Sequence, residues 1–290
     1  MNKKNLIQSL FGVTTLLVAL GYLLSVWYAN PVMIEEQLKS TKVEILAIST
    51  VLSIFAGLFN ARLWFKINYH LDETINFSTS YWAWSVGRIY RYIPGKVAGY
   101  YIRNKLQKSP IKIGISASIS EFILILLPIL FLVIIYLATS TSFIWFVLPL
   151  LLLFLGLYFI KPILMVFPKI TEQFFYSPKE VTDKLRFILP AMLLHGLSFY
   201  LIIKVGLSEN SISLYQAVLA LYISGIVGQL ALIVPGGIGV REAAIVVLLT
   251  TFGINTDVAI SAAIISRVTL LFSELCNVTL AFICKQGQSK

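Results

Sequence analysis

Long uncharged apolar runs constrain this chain more than any other feature, among them Phe122–Ser140, Phe143–Ile160 and Ile212–Val240. The hydrocarbon core of a bilayer is about 30 Å thick and takes about 20 mostly apolar helical residues to cross. Only helices and closed barrels satisfy every backbone polar group there, and runs of this length read as helices. Composition agrees. Of the 290 residues, 58% are hydrophobic and 12% charged, with a mean hydropathy of +0.86, against roughly 45–50% apolar and about 25% charged in soluble domains. The fold class is therefore all-α, a polytopic membrane protein.

Full spans are expected near 6–29, 43–66, 111–138, 143–160, 185–206 and 257–284, six in all. Lys3 and Lys4 precede Leu6–Ala29 as in a signal peptide, but the apolar stretch is too long and no small-x-small site follows. It reads as a first transmembrane helix. Two segments differ: 80–104 breaks at Pro94-Gly95, and 212–254 breaks at Pro235-Gly236-Gly237. Proline removes a backbone donor and glycine frees the chain to turn. Each segment reads as a re-entrant or broken helical hairpin. One integral membrane domain, 1–290, then comprises an N-terminal helix (1–42), a first repeat (43–160), a cytoplasmic loop (161–184) and a second repeat (185–290).

Charge placement sets an orientation. With the N-terminus inside and both broken segments returning to the side they entered, the cytoplasmic cations are Lys3, Lys4, Lys66, Arg103, Lys105, Lys108, Lys112, Lys161, Lys169, Lys179, Lys184, Arg186, Lys285 and Lys290. Only Lys39, Lys42 and Lys204 lie outside, so both termini come out cytoplasmic by the positive-inside rule. Making the broken segments true spans gives eight crossings and exports the Arg103–Lys112 cluster, which ranks second. The accepted arrangement opens one hairpin to each side. Each is followed by a similar helix start, Ile115-Ser-Ala-Ser-Ile-Ser-Glu121 and Ile260-Ser-Ala-Ala-Ile-Ile-Ser-Arg267. That order of break, helix and ionisable residue describes an inverted repeat, which many transporters use to build a midplane site. Small residues also recur wherever membrane helices pack closely.

Glu121 and Arg267 each lie ten residues into their helices, roughly 15 Å deep at 1.5 Å per residue. A charge there costs about 2.5–3.5 kcal/mol even on insertion scales, so it pairs or lines a wet cavity. The embedded ionisable set is Arg62, Arg88, Arg91, Lys96, Glu121, Arg241, Glu242, Arg267 and Glu274. Six bases face three acids, and an anion would supply the missing charge; phosphate matches the fork of arginine. Structural pairing, or snorkelling by Arg62 and Arg103 near helix ends, accounts for single residues more readily than for the set.

After Pro94-Gly95, and after Pro235-Gly236-Gly237-Ile238-Gly239, a short helix restarts with its N-terminus directed into the membrane. Free N–H groups and the helix dipole favour an anion at such a tip, and the glycines let a ligand approach the backbone. Lys96, Arg241 and Glu242 sit beside these tips. Tyr81, Trp84, Arg88 and Arg91 share one helical stripe, which reads as an interfacial aromatic belt, with a sugar- or headgroup-holding face as the alternative.

Other chemistry is not signalled. Cys276 and Cys284 lie in an apolar run without metal or disulfide spacing. His70 and His195 lack triad or metal partners, and His195 reads as a helix–helix hydrogen-bonding group. There is no nucleotide loop, no surface for nucleic acid and no cofactor motif. Pro162–Tyr176 reads as an interfacial segment.

Arg91-Tyr-Ile-Pro-Gly-Lys96 with Glu121 downstream, and Pro235-Gly-Gly-Ile-Gly-Val-Arg-Glu242 with Arg267 downstream, resemble the lysylphosphatidylglycerol synthase transmembrane family over nearly the whole chain. The resemblance implies a flippase-like membrane protein. Its relatives include the membrane half of multiple peptide resistance factor, which translocates lysyl-phosphatidylglycerol, and stand-alone members associated with lipid-linked glycan assembly. With the sequence ending at Lys290, the aminoacyl-transferase domain of the synthases is expected to be missing, and the resemblance then implies translocation alone.

The resulting expectation is a transporter, not an enzyme, in the plasma (inner) membrane. It would move an anionic phospholipid or polyprenyl-phosphate glycolipid. Its site would comprise Arg88, Arg91, Pro94, Gly95, Lys96, Glu121, Pro235, Gly236, Gly237, Gly239, Arg241, Glu242, Arg267 and Glu274. Two alternatives stand: an intramembrane transferase with Glu121 or Glu242 as base, and an accessory protein scaffolding envelope enzymes.

Overall fold

The computed structural model describes residues 42–92, 97–140, 178–231 and 235–287. Eight α-helices occupy them: α1 (Val43–Leu71), α2 (Phe77–Tyr90), α3 (Val97–Gln107), α4 (Ile111–Ser140), α5 (Pro178–Leu201, ending in a π turn Ile202–Gly206), α6 (Leu214–Leu230), α7 (Val240–Thr251) and α8 (Thr256–Gln286). The order long, short, short, long occurs twice.

Four described helical stretches are long and apolar enough to cross a membrane: Val43–Leu71, Ile111–Tyr136, Lys179–Gly206 and Thr256–Gln286. They match the spans expected near 43–66, 111–138, 185–206 and 257–284. The expected spans 6–29 and 143–160, and the interfacial segment Pro162–Tyr176, lie outside the described residues. One boundary moves: α5 starts at Pro178, inside the loop assigned to 161–184. Proline is favoured in a first helical turn, where its missing N–H costs nothing, and Glu180 complements the dipole there.

The short helices begin where local chemistry dictates. Asn76 caps α2 by accepting from the Thr79 N–H at 2.8 Å. Ser213 and Gln216 form a reciprocal capping box on α6. Just before α2, Asp72 accepts from the Thr74 N–H and hydroxyl, which holds its carboxyl below the usual range.

Packing follows small residues. α1 lies along α5 through Ser49, Ser53 and Ser198: the Ser198 hydroxyl donates to the Ser49 carbonyl at 2.9 Å and sits 3.0 Å from Ser53 Oγ. Such residues let membrane helices approach closely and bond across the contact. α8 runs against α1, α2 and α7. One apolar cluster centres on Trp64, Tyr81, Trp84 and Ile129, and a second on Phe199, Ile203, Ile245 and Leu249.

Each pair of short helices forms a hairpin, α2 with α3 and α6 with α7. In the first, a Cβ added at Gly99 would fall 2.8 Å from the Gly87 carbonyl oxygen. In the second, a Cβ at Gly237 would fall 2.6 Å from the Gly228 carbonyl oxygen. The two hairpins meet tip to tip, where the Gly236 N–H donates to the Arg91 carbonyl at 2.9 Å. Gly236 and Gly237 have φ of +58° and +66°, a region open to glycine at little cost. A side chain at 236 would also strike the Tyr92 ring, 2.5 Å from the Cβ position.

Candidate functional site

The meeting of the tips brings most of the expected site residues together. Glu274, on α8 and 4% exposed at its side chain, accepts from Arg88 Nε at 3.1 Å and from Arg91 Nη2 at 2.5 Å through one oxygen. The Tyr92 hydroxyl donates to its other oxygen at 3.1 Å. Arg267, also on α8, lies 3.5 Å from Glu242 and donates to the Gly236 carbonyl at 3.3 Å. Its guanidinium sits 5.0 Å from the Tyr92 ring centroid, within reach of a cation–π attraction. One long helix thus anchors both tips, through Glu274 to the first and Arg267 to the second.

Glu242 has a different task from the one expected of the second tip. Its carboxylate accepts from the Gly239 N–H at 2.6 Å, three residues before it. An acidic side chain reaching back from the first turn is half of a capping box. The helix start therefore receives its anion from the chain itself, and the close approach the glycines permit is that of Tyr92 and Gly228. Gly236 still lines the cavity described below.

Glu121 is buried in α4, at 9% exposure, but its partner was placed elsewhere from the sequence. Arg103, assigned to the cytoplasmic cations, is 6% exposed and lies 2.6 Å from Glu121. Its guanidinium stacks 4.4 Å from the Trp64 ring, and Trp84 Nε1 donates to the same carboxylate at 3.3 Å. A signal was present: Gly99, Arg103 and Gln107 recur every four residues and make one buried face of α3, opposite exposed Tyr101, Lys105 and Lys108. The aromatic stripe needs the same correction. Tyr81 and Trp84 are 1% and 2% exposed; Tyr81 donates to Asn277 at 2.8 Å and Arg88 sits 5.0 Å from the Trp84 ring. These aromatics hold buried polar groups and form no belt. Arg62, by contrast, is exposed on α1 and stacks 3.9 Å over Phe77. Pro94, Gly95 and Lys96 lie outside the described residues.

These groups surround a cavity of about 230 Å³, many times the ~10–15 Å³ that a single water needs. Arg88, Arg91, Arg103, Arg241 and Arg267 line it, with Glu121 as the carboxylate on its wall. Glu242 and Glu274 reach the same arginines from behind. Five cations face three anions among the described residues, an excess of two. Arg241 carries the imbalance: it has no ion pair or hydrogen bond among the described residues, and packs against Gly228. Arg91 Nε is also buried without a hydrogen-bond partner. Uncharged polar groups complete the lining, with His195 and Tyr222 in contact at 3.5 Å between α5 and α6. His195 is thus a helix–helix contact, as expected, and also lines the cavity. Among the described residues no group of three or more His, Cys, Asp or Glu could hold a metal.

Apolar spanning helices, paired helical hairpins and a cationic cavity where the tips meet define a multi-pass integral membrane protein. The description "Lysylphosphatidylglycerol synthase TM region" matches residues 9–275, and the chain belongs to that family. No curated protein matches it.

Proposed function

We propose that the protein is a transporter that moves an anionic lipid, a phospholipid or a polyprenyl-phosphate glycolipid, between leaflets of the plasma membrane. The observation that carries this reading is the excess of two positive charges among the described residues of the cavity, with Arg241 unpaired among them. A half-buried cation without a carboxylate calls for an anionic guest, and a phosphate suits the guanidinium fork. In this reading the headgroup enters the cavity while the tails stay in lipid. Glu121, Glu242 and Glu274 compete with it for the arginines and so allow release.

Tip-to-tip contact of the hairpins supports a re-entrant pair entering from opposite sides, while six full spans and cytoplasmic termini rest on the apolar runs and the placement of basic residues in the sequence. Rocking of one repeat against the other would then expose the cavity to each side in turn. The test is reconstitution in vesicles with a tail-labelled anionic lipid and a leaflet-specific quencher. Accelerated exchange over protein-free vesicles is expected; no acceleration for any anionic lipid refutes transport. Product formation by the chain alone would instead favour the intramembrane enzyme.

A further inference from the structure

Each of the three carboxylates of the cluster already faces an arginine, although Glu242 Oε1, 3.5 Å from Arg267 Nη1, makes no hydrogen bond. Glu121 holds Arg103, Glu242 holds the Gly239 N–H and Arg267, and Glu274 holds Arg88, Arg91 and Tyr92. Of the cavity-lining arginines, Arg241 holds none of these carboxylates; Arg91 lines the cavity as well, and its Nε is buried without a hydrogen-bond partner. The remaining polar wall carries no charge. Asn60 of α1, His195 of α5 and Tyr222 of α6 line it, and an imidazole is mostly neutral at pH 7. These side chains offer amide, hydroxyl and ring-nitrogen groups, which pair with hydroxyls. Glu121 is the one carboxylate among the described lining residues, and Arg103 occupies it at 2.6 Å.

We infer that the cavity selects a headgroup of one phosphate joined to an uncharged hydroxyl-bearing group, such as glycerol or a single sugar, and rejects headgroups that carry an ammonium. Arg241 with Arg91 takes the phosphate, and the Asn60–His195–Tyr222 wall takes the hydroxyls. An aminoacylated phospholipid, with two ammonium groups on one phosphate, would add net positive charge to a site already in excess by two. Like charge opposed across such a site works as rejection. This inference rests on the transporter reading only for the cavity being a lipid site.

Binding separates the two ideas. Isothermal titration of the full chain in neutral detergent would use dihexanoyl phosphatidylglycerol, phosphatidic acid, lysyl-phosphatidylglycerol and phosphatidylcholine, with inorganic phosphate as the non-lipid arm. Phosphatidylglycerol is expected to bind at least ten-fold tighter than the lysyl and choline lipids and than free phosphate. Arg241→Gln should weaken phosphatidylglycerol and phosphatidic acid alike, by ten-fold or more. Tyr222→Phe and His195→Gln should weaken phosphatidylglycerol several-fold and leave phosphatidic acid, which lacks the glycerol hydroxyls, unchanged. A misfolded variant would lose both. Lysyl-phosphatidylglycerol binding as tightly as phosphatidylglycerol overturns the inference. So does free phosphate matching the lipid, or no binding by any of them. Selective binding without movement in vesicles would fell the transporter reading alone, and movement without selectivity would fell this one alone.

Discussion

Replacing Glu274 by Gln removes one negative charge from between two arginines while keeping the side chain's shape. Each guanidinium lies within 3.1 Å of the carboxylate, whose side chain is 4% exposed. With an effective dielectric near 20, a charge pair at about 4 Å is worth about 4 kcal/mol, so two such pairs total about 8 kcal/mol gross. Repulsion between Arg88 and Arg91 and the desolvation of all three groups offset much of that. Breaking a buried pair by removing one partner costs about 3–5 kcal/mol net. At about 2–4 °C per kcal/mol, thermal unfolding in detergent should fall on the order of 10 °C. The same change raises the cavity's excess from two positive charges to three. Anionic lipid should therefore rescue Glu274→Gln more than the parent: a ligand at 100 times its Kd stabilises by about 2.7 kcal/mol, and the variant's Kd should be the lower. The assay is a melting curve at increasing phosphatidylglycerol, with phosphatidylcholine as the control. Equal melting points without lipid, or equal lipid-induced shifts, would refute the argument that Glu274 neutralises these arginines in a site awaiting an anion.

Arg103→Leu and Glu121→Leu should each cost about 3–5 kcal/mol, while the double variant loses far less, because a lone buried charge is worse than none; a double-mutant cycle on melting measures the coupling. Gly236→Ala and Gly237→Ala should lower melting by at least about 1–3 kcal/mol of backbone strain, with added clashes against Tyr92 and the Gly228 carbonyl. Gly225→Ala, with nothing within 4 Å of the new carbon, is the tolerated control. Ser198→Ala removes two interhelical contacts and should cost about 1 kcal/mol, on the scale of hydrogen bonds measured in membranes.

Spans were the most legible part of the sequence, because helices in hydrocarbon must be apolar along their length. Val43, Ile111 and Thr256 open helices within a residue or so of the expected starts. The breaks at Pro94 and Pro235 mark two hairpins for the same reason: proline and paired glycines have few other uses in such runs. What could not be read was partnership. Glu274 lies more than 180 residues from Arg88 and Arg91 in sequence, and nothing local to it says which arginines it meets. Arg103 was misplaced because proximity to Lys105, Lys108 and Lys112 made it read as one of a solvated cluster. Its side chain projects from the opposite face of α3, where Trp64 and Glu121 wait. The Tyr81–Trp84 stripe failed in the same way, since an interfacial belt and a buried lining share one composition and differ only in what α1, α4 and α8 bring against them.

A scaffold would need a neutral cluster. Charges that serve only to lock helices together are stable when paired, and three of the pairs here fit that use: Arg103 ties α3 to α4, Glu242 ties α7 to α8, and Glu274 ties the first tip to α8. The polarity of the first two is reversed, arginine on the hairpin arm in one half and glutamate in the other. Those pairs account for every carboxylate and leave one arginine too many at Glu274 and another at 241. An unpaired cation at membrane depth costs about 2.5–3.5 kcal/mol, a penalty that an apolar residue at position 241 would avoid while still packing on Gly228. Locking helices therefore explains the glutamates but not Arg241. A cavity that receives a phosphate, as proposed, accounts for both, because the same arginines must be held in place while the site is empty and keep an excess of positive charge that an anion reduces.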